Sequence, residues 1–464
     1  MNLAENLARY ASRLTYADLG RSTVEETKKR IVDALGCAVG AYREEPVRIG
    51  RRVATDLRAR QGSTVIGTPT KAAPEVATFV NGLMIRYFDF NDTYLSKEPA
   101  HPSDNLGATL SVAESVRAGG KELILATALA YEVQCRLCDS ADIRHRGWDH
   151  VCFGLVSSAL GAGKLMGLGE EQLVQAVNIS LSAHIAMRQV RAGELSMWKG
   201  ASFSNAARNA VFAARLAKEG MTGPSPVFEG EMGFFKQVSG PFALDVSKFG
   251  RGGKGFKVGE TYIKYYPAEY HAQTAVSAAL EVRELVGRGE DIETVEVRTH
   301  EAGYTILGKD PEKWRPATKE TADHSLPFMV GMALLEGRLD NKSYSEKNLH
   351  DEHILGFLKR IRVEEDKSLT ALYPSKGMAN RVTLVTKGGK RYSKEVKVPK
   401  GHPLNPMDSS EVEEKFRRLT RGLLPKGRTD GVLEKVWSLE KVTDLGDVVR
   451  LLEVDGSRGV TLPP

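Results

Sequence analysis

At 464 residues the chain is too long for one compact core and is expected to divide into two domains. Its 41% apolar and 27% charged residues are ordinary for a globular protein and exclude disordered and fibrous classes. The formal net charge of +6 is scattered rather than gathered in one block, so no nucleic-acid partner is expected and an anionic small molecule suits the balance better.

No apolar run reaches the length of a membrane span, and the first residues lack the basic-then-apolar layout of a secretory leader. A cytoplasmic protein with no membrane partner is expected. Leu3, Leu7, Ala11 and Leu14 share one face of a first helix. Ser22-x-x-Glu25 and Thr23-x-x-Glu26 offer overlapping capping boxes before Val24, Ile31, Val32, Leu35 and Ala38, which keep helical spacing. A short strand, Ser63 to Ile66, leads into a helix from Pro74 to Ile85. Further helices are expected over Leu106 to Val116, Leu123 to Cys138, Leu155 to Met166, Glu171 to His184 and Ala201 to Ala217. Their alanines allow close approach in a layered bundle. A polar connection, Arg188 to Lys199, joins the last two and carries Arg188, Arg191, Glu194, Trp198 and Lys199.

The pattern mixes after Gly220. The tract RGGKGFKVGE (251–260) lacks the order of a phosphate-wrapping loop, and Gly161-Ala-Gly163-Lys164 lies inside a helical pattern, so neither reads as a nucleotide site. The segment IKYYPAEYHAQTAV passes from an extended stretch, ended by Pro267, into a helix from Gln273 to Val286. Val295, Val297 and Thr299 alternate as a half-buried strand does, and Asp323 to Leu335 has helical spacing. Arg381 to Thr386 and Tyr392 to Val398 flank Lys387-Gly388-Gly389-Lys390, a hairpin signal. Helical spacing returns over Glu411 to Leu419 and Asp444 to Leu452. The expected architecture is a mainly helical domain (1–262 with 404–464) and a smaller α/β lid domain (263–403). A cleft between two such domains is a usual place for a ligand.

Four cysteines, Cys37, Cys135, Cys138 and Cys152, make a poor metal signature, because one C-x-x-C without a second pair sits on a helix. Buried thiols and no metal are expected. The richest chemistry lies in Tyr87 to Gly107, YFDFNDTYLSKEPAHPSDNLG. Asp89, Asn91, Asp92, Thr93, His101 and Asp104 crowd a stretch without strong periodicity, and Ser103 or Asp104 would cap the helix that follows. The residues by themselves allow a catalytic loop or a capped turn equally.

Polar residues able to face a cleft are Asp89, Thr93, His101, His150, Arg188, Arg191, Lys199, Lys264 and His271. Four are cations, which suits a multiply charged anion held by Arg bidentately and by Lys as a movable point charge. A carboxylate with an imidazole is what proton transfer needs, and with a carboxylated substrate the matching chemistry is proton abstraction α to a carboxylate followed by loss of a β-hydroxyl. Each has a plainer alternative: a lone His150 or His271 is more often packed than catalytic, and His324 beside Asp323 can simply start a helix.

DFNDTYLSKEPAHPSDNLG (89–107), GWDHV (147–151), Lys199 before an Ala-rich helix, IKYYPAEYHAQTAV (263–276), RTHEA (298–302) and ADHSLPF (322–328) together resemble the MmgE/PrpD family. DFNDT followed by HPSDNLG, and PAEYHAQTA, look most like its 2-methylcitrate dehydratase branch. The resemblance implies a metal-independent enzyme without a cofactor, a tricarboxylate substrate and a homodimer. By matching position it places Asp89, Thr93 and His101 on the active-site loop, Lys199, Lys264 and His150 at family site positions, and Arg188 and Arg191 on an Arg-x-x-Arg segment. Catalysis is then expected from Asp89, His101, Lys199, Lys264 and His150, and substrate binding from Thr93, Arg188, Arg191 and His271. Asp92 and Asp104 become turn and cap. Gly200-Ala-Ser-Phe203 and Tyr94 depart from the dehydratase pattern, where Trp is more usual. A decarboxylase or epimerase of the same family, and a non-catalytic carboxylate-binding protein, are the alternatives.

Overall fold

The computed structural model describes residues 1–193, 195–252, 254–286, 292–373 and 377–456. Glu194 of the polar connection and Gly253 of the glycine-lysine tract lie outside them. Helix α1 (Leu3–Arg13) buries Leu3, Leu7 and Ala11, and Asn2 caps it reciprocally with Glu5. Helix α2 (Arg21–Gly40) starts one residue before the expected capping boxes, with Gly20 at its N-cap and no side-chain cap. Ser22 and Thr23 therefore sit inside its first turn, where their hydroxyls cannot cap it. Helix α3 (Glu45–Asp56), not anticipated from spacing, leads to strand β1 (Arg58–Thr64), which begins earlier than expected and pairs with β2 (Lys71–Ala72).

The bundle follows the expected order: α4 (Pro74–Arg86), α5 (Leu106–Ser115), α6 (Gly120–Ser140), α7 (Val151–Leu165), α8 (Glu170–Ala183) and α9 (Trp198–Lys218). Helix α9 packs on α4, α7 and α8, and α5 on α4 and α7. All four cysteines are buried free thiols, and Gly161 to Lys164 lie within α7. No helix among the described residues is long and apolar enough to cross a membrane.

Helices α4 and α5 flank the 87–105 loop and touch through glycine. A Cβ on Gly107 would lie 2.8 Å from the Gly82 Cα and 3.1 Å from the Thr78 carbonyl oxygen, backbone atoms that cannot rotate away. Gly107→Ala is expected to cost about 1–2 kcal/mol net, the overpacking outweighing alanine's better helix propensity. Urea unfolding measures it, and an unchanged midpoint would remove this contact as a determinant of the loop's stems.

The second layer pairs helix α10 (Gln273–Val286), as its spacing predicts, with a mixed sheet of β3 (Ile292–Thr299), β4 (Ile361–Glu365), β5 (Asn380–Thr386) and β6 (Arg391–Val396). Its order is β4-β3-β5-β6, with β3 and β4 parallel and the other pairs antiparallel. The hairpin turns at Gly389, whose φ of 76° lies in the left-handed region open to glycine. Strand β4 escaped the sequence reading because only Ile361 and Val363 of its five residues are buried.

Buried apolar side chains form two separate cores. One draws on residues between Leu3 and Ile263 and again between Met407 and Val454, and the other on residues between Ala268 and Leu384. The chain is thus a helical domain with a smaller α/β domain. Helix Ser409–Thr420 returns to α2, and its Lys415 Nζ donates to the carbonyls of Phe90 and Lys264 at 2.7 Å each while pairing Asp33 at 2.6 Å. One buried ammonium so joins the C-terminal helix, the 87–105 loop and the segment leading into the α/β domain.

Candidate active site

Helix α4 ends on Arg86, and three residues later the chain turns at Asp89, whose φ of 50° is left-handed. Aspartate tolerates that region better than most residues. The turn places a buried carboxylate against three cations. Its Oδ1 accepts from Arg86 Nη1 at 2.7 Å and from Lys264 Nζ at 2.6 Å, and its Oδ2 from Lys199 Nζ at 3.3 Å. Burial pushes the Asp89 carboxyl up, but the combined fields of Arg86, Lys264 and Lys199 outweigh it and hold the group well below the usual range. Burial lowers Lys264 against the pull of Asp89.

Lys199 is not in a connecting loop, as its sequence setting suggests, but in the first turn of α9, which begins at Trp198. A helix therefore aims it, and the positive end of the helix dipole adds to the local field. Its Nζ also lies 3.2 Å from Asp323 Oδ1 and 3.1 Å from His324 Nδ1. Asp323 and His324 do not lie in a helix from Asp323 to Leu335. They occupy the gap between helices Lys319–Ala322 and Leu326–Glu336, the second capped by Ser325. Asp323 takes a further bond from Lys319 Nζ at 2.7 Å. His324 Nδ1 stands 2.6 Å from Asp323 Oδ1, between that acceptor and the Lys199 donor, and Nε2 faces Asp89 Oδ2 at 3.8 Å. Burial and Lys199 hold His324 below its ordinary value.

His101 is fixed in one tautomer by its neighbours. Its Nδ1 lies 2.8 Å from the Asp92 carbonyl, which can only accept, and its Nε2 lies 3.0 Å from Arg86 Nη2, which can only donate. The imidazole is therefore neutral, with the electron pair on Nε2 accepting from Arg86 and that nitrogen 4.0 Å from Asp89 Oδ1. Burial, Arg86 and Lys264 hold it well below the ordinary histidine value. His150 packs its ring 5.9 Å from that of His101. Asp149 binds its Nδ1 at 2.9 Å, Nε2 is buried without a partner, and burial lowers its pKa to about 4. Arg191 completes this arm, with its Nε 2.8 Å from Asp149 Oδ2.

Ser103 and Asp104 do not cap α5. A 3-10 turn, Pro102–Asn105, runs straight into that helix, and no side chain caps it. Asp104 is instead a buried carboxyl that accepts from Asn91 at 2.7 Å and lies 3.7 Å from Arg86, and burial pushes its pKa up to about 7. Asp92 accepts from the Ser103 N–H at 2.9 Å, closing the loop on itself. Thr93 is spent inside the loop as well. Its hydroxyl donates to Ala100, and its backbone pairs both ways with Tyr262, two residues before Lys264.

The structure thus brings Asp89, His101, Lys199 and Lys264 into one cluster, with His150 and Arg191 beside it. Arg188 is half-buried; its backbone N–H donates to the Gly147 carbonyl at 2.8 Å, its side chain forms no hydrogen bond or ion pair among the described residues, and burial lowers its pKa. His271 sits in the α/β domain, bonded to Glu269 and Tyr373. Arg86, Asp323, His324 and Lys319 are cluster members that sequence reasoning did not place there. Arg86 is hidden by its helical pattern, whereas Asp323 and His324 lay within a segment already singled out. Asp89, Asp323 and His324 are also the one group among the described residues with metal-ligand spacing, their ligand atoms within 4.8 Å of one another, and the Lys199 ammonium stands among them. An open surface cavity of about 350 Å³ lined by Val116, Met166 and Phe212 shares no residue with this cluster.

The arrangement can hold an anion and move a proton, and similarity to known proteins runs the length of both domains. The MmgE/PrpD N-terminal domain matches residues 5–247 and the MmgE/PrpD C-terminal domain residues 266–439. A 2-methylcitrate dehydratase of Escherichia coli (strain K12) is 32% identical over 428 residues, 87% of each chain. A mitochondrial 2-methylcitrate dehydratase of Yarrowia lipolytica is 29% identical, covering 88% of this chain and 82% of its own. An alkylcitrate dehydratase from a fungal species is 28% identical, covering 86% and 84%. With both domain patterns matched in order and a relative above 30% identity across nearly the full length, the chain belongs to the MmgE/PrpD family.

Proposed function

We propose that the chain is a hydro-lyase that eliminates water from a citrate-type tricarboxylate, 2-methylcitrate or a close relative, to give 2-methyl-cis-aconitate or the corresponding alkene. One observation carries it: a buried carboxylate, Asp89, is ringed by Arg86, Lys199 and Lys264, with His101 and His324 at 4.0 and 3.8 Å. The relatives named as dehydratases of 2-methylcitrate and alkylcitrate support the same reaction class.

A tricarboxylate entering this ring competes with Asp89 for its cations. As a C–H α to a carboxylate loses its proton, charge spreads onto that carboxylate, where Lys199, Lys264 and Arg86 stabilise it. His150, neutral with a free pair on Nε2, and His101, neutral with its Nε2 pair accepting from Arg86 until substrate draws that cation away, are the candidates to take the proton. No step calls for a metal, since the cation among Asp89, Asp323 and His324 is an ammonium.

The test is product identification after incubating the purified protein with 2-methylcitrate, citrate and cis-aconitate. Alkene from 2-methylcitrate is expected. Carbon dioxide from cis-aconitate without dehydration would favour a decarboxylase, and binding without turnover a non-catalytic protein. A base works only unprotonated, so kcat/KM should not fall as pH drops through 6.5, because His101 is held well below that value and His150 at about 4. An acidic limb at or above 6.5 in the pH profile would remove both histidines as the base.

A further inference from the structure

The α/β domain carries a second hydrogen-bonded set that the elimination above leaves without a task. Glu269 accepts from the backbone N–H of His271 at 2.7 Å and from its Nδ1 at 2.8 Å. Burial raises the Glu269 carboxyl, but His271, then His324 and Lys264, outweigh it and bring it to about 2. With a carboxylate on Nδ1, His271 turns Nε2 toward the Tyr373 hydroxyl, 3.2 Å away.

The phenol is held in place. Its ring stacks on His300 with centroids 4.6 Å apart and planes 7° from parallel, and the Gly303 N–H fixes His300 through Nδ1 at 3.2 Å. The set also adjoins the charged cluster. The Glu269 N–H donates to the Asp323 carbonyl at 2.9 Å, on the residue that pairs Lys199. Tyr373 is only partly buried, and burial, then Glu269 of its own domain, raises its phenol against the field of Arg144 of the helical domain.

Dehydration needs an acid as well as a base, because hydroxide leaves poorly without a proton. His101 and His150 are neutral and suit the base. We propose that Tyr373, positioned by His271 and Glu269, is the acid that protonates the leaving hydroxyl, an assignment that rests on the dehydratase reading. When His271 carries a proton on both nitrogens, Nε2–H donates to the phenol oxygen and the phenolic O–H is free to face substrate. The base takes the proton from carbon, and the C–H electron pair becomes the new C=C bond. The C–O bond breaks with its pair on oxygen, which receives the Tyr373 proton and leaves as water. The phenolate then takes the proton on His271 Nε2, with the Glu269 carboxylate left as it was. The base has gained one proton and His271 has lost one, and exchange with solvent restores both.

The experiment compares 2-methylcitrate with its analogue carrying fluorine in place of the hydroxyl, since fluoride leaves without a proton. On 2-methylcitrate, Tyr373→Phe is expected to lower kcat about 10²-fold or more with KM within a few-fold. On the fluoro analogue its kcat should stay near that of the wild type. Phe keeps the ring stacked on His300, and His271→Gln, which cannot relay a proton, should show the same split between leaving groups. Wild-type kcat on 2-methylcitrate in Tyr373→Phe, or an equal loss on both compounds, overturns the assignment. No turnover of 2-methylcitrate by the wild type overturns the dehydratase reading and takes this inference with it.

Discussion

Asp89→Asn is expected to lower kcat by about 10²–10⁴-fold while leaving KM unchanged or lower. Asparagine accepts the left-handed backbone at φ 50° as readily as aspartate, so the substitution isolates the charge from the fold. Its loss leaves Arg86, Lys199 and Lys264 facing one another, all buried, without the carboxylate that pairs them. Removing one partner of a buried ion pair costs about 3–5 kcal/mol, so the free variant should melt well below the wild type. A tricarboxylate restores the missing negative charge, and citrate should therefore raise the variant's melting temperature more than the wild type's. Steady-state kinetics with thermal unfolding in the presence and absence of citrate check both halves. A raised KM with unchanged kcat would make Asp89 a binding group only.

Lys199→Ala should reduce kcat/KM by about 10²–10³-fold, the usual loss on removing one electrostatic group from a site of developing charge. It should also change what the site binds. Without the ammonium, Asp89, Asp323 and His324 remain with ligand atoms within 4.8 Å and nothing among them. Zinc or manganese should then stabilise the variant against heat and leave the wild type unaffected. Wild-type activity should survive a chelator. If chelation abolished it and a divalent ion restored it, Lys199 would not be the cation on which the site runs.

Local pattern carried a large share of this protein. The helices from α4 to α9, α10 and the hairpin of β5 and β6 follow from apolar spacing and turn residues, because long periodic segments bury one face whatever their partners are. Strand β4 did not follow, since a five-residue edge strand with two buried side chains has too short a period to read. The Ser22 and Thr23 capping boxes failed because a cap depends on where the first turn begins, which neighbouring helices decide.

The candidate site divides in the same way. Asp89, His101, Lys199 and Lys264 announced themselves as charged residues in polar or turn-rich segments, and the family resemblance named the same positions. Arg86 could not be found so, because at the end of an amphipathic helix an arginine is normally solvated, and only the fold shows this one buried between Asp89, His101 and Asp104. Asp104 was read as a cap because Asp before a helix usually is one, whereas burial beside Asn91 makes it a carboxyl near neutrality. Residue types and spacing were thus enough to set the kinds of helix and strand and the chemistry on offer, since both depend on neighbours in the chain. Tertiary structure alone decided which groups meet, Lys199 with Asp89 across 110 positions and Lys264 with Asp89 across 175, and with that which carboxyls are ionised and which imidazole nitrogen is free. Coulomb and desolvation energies depend on distance and burial in space, which the order of residues does not contain.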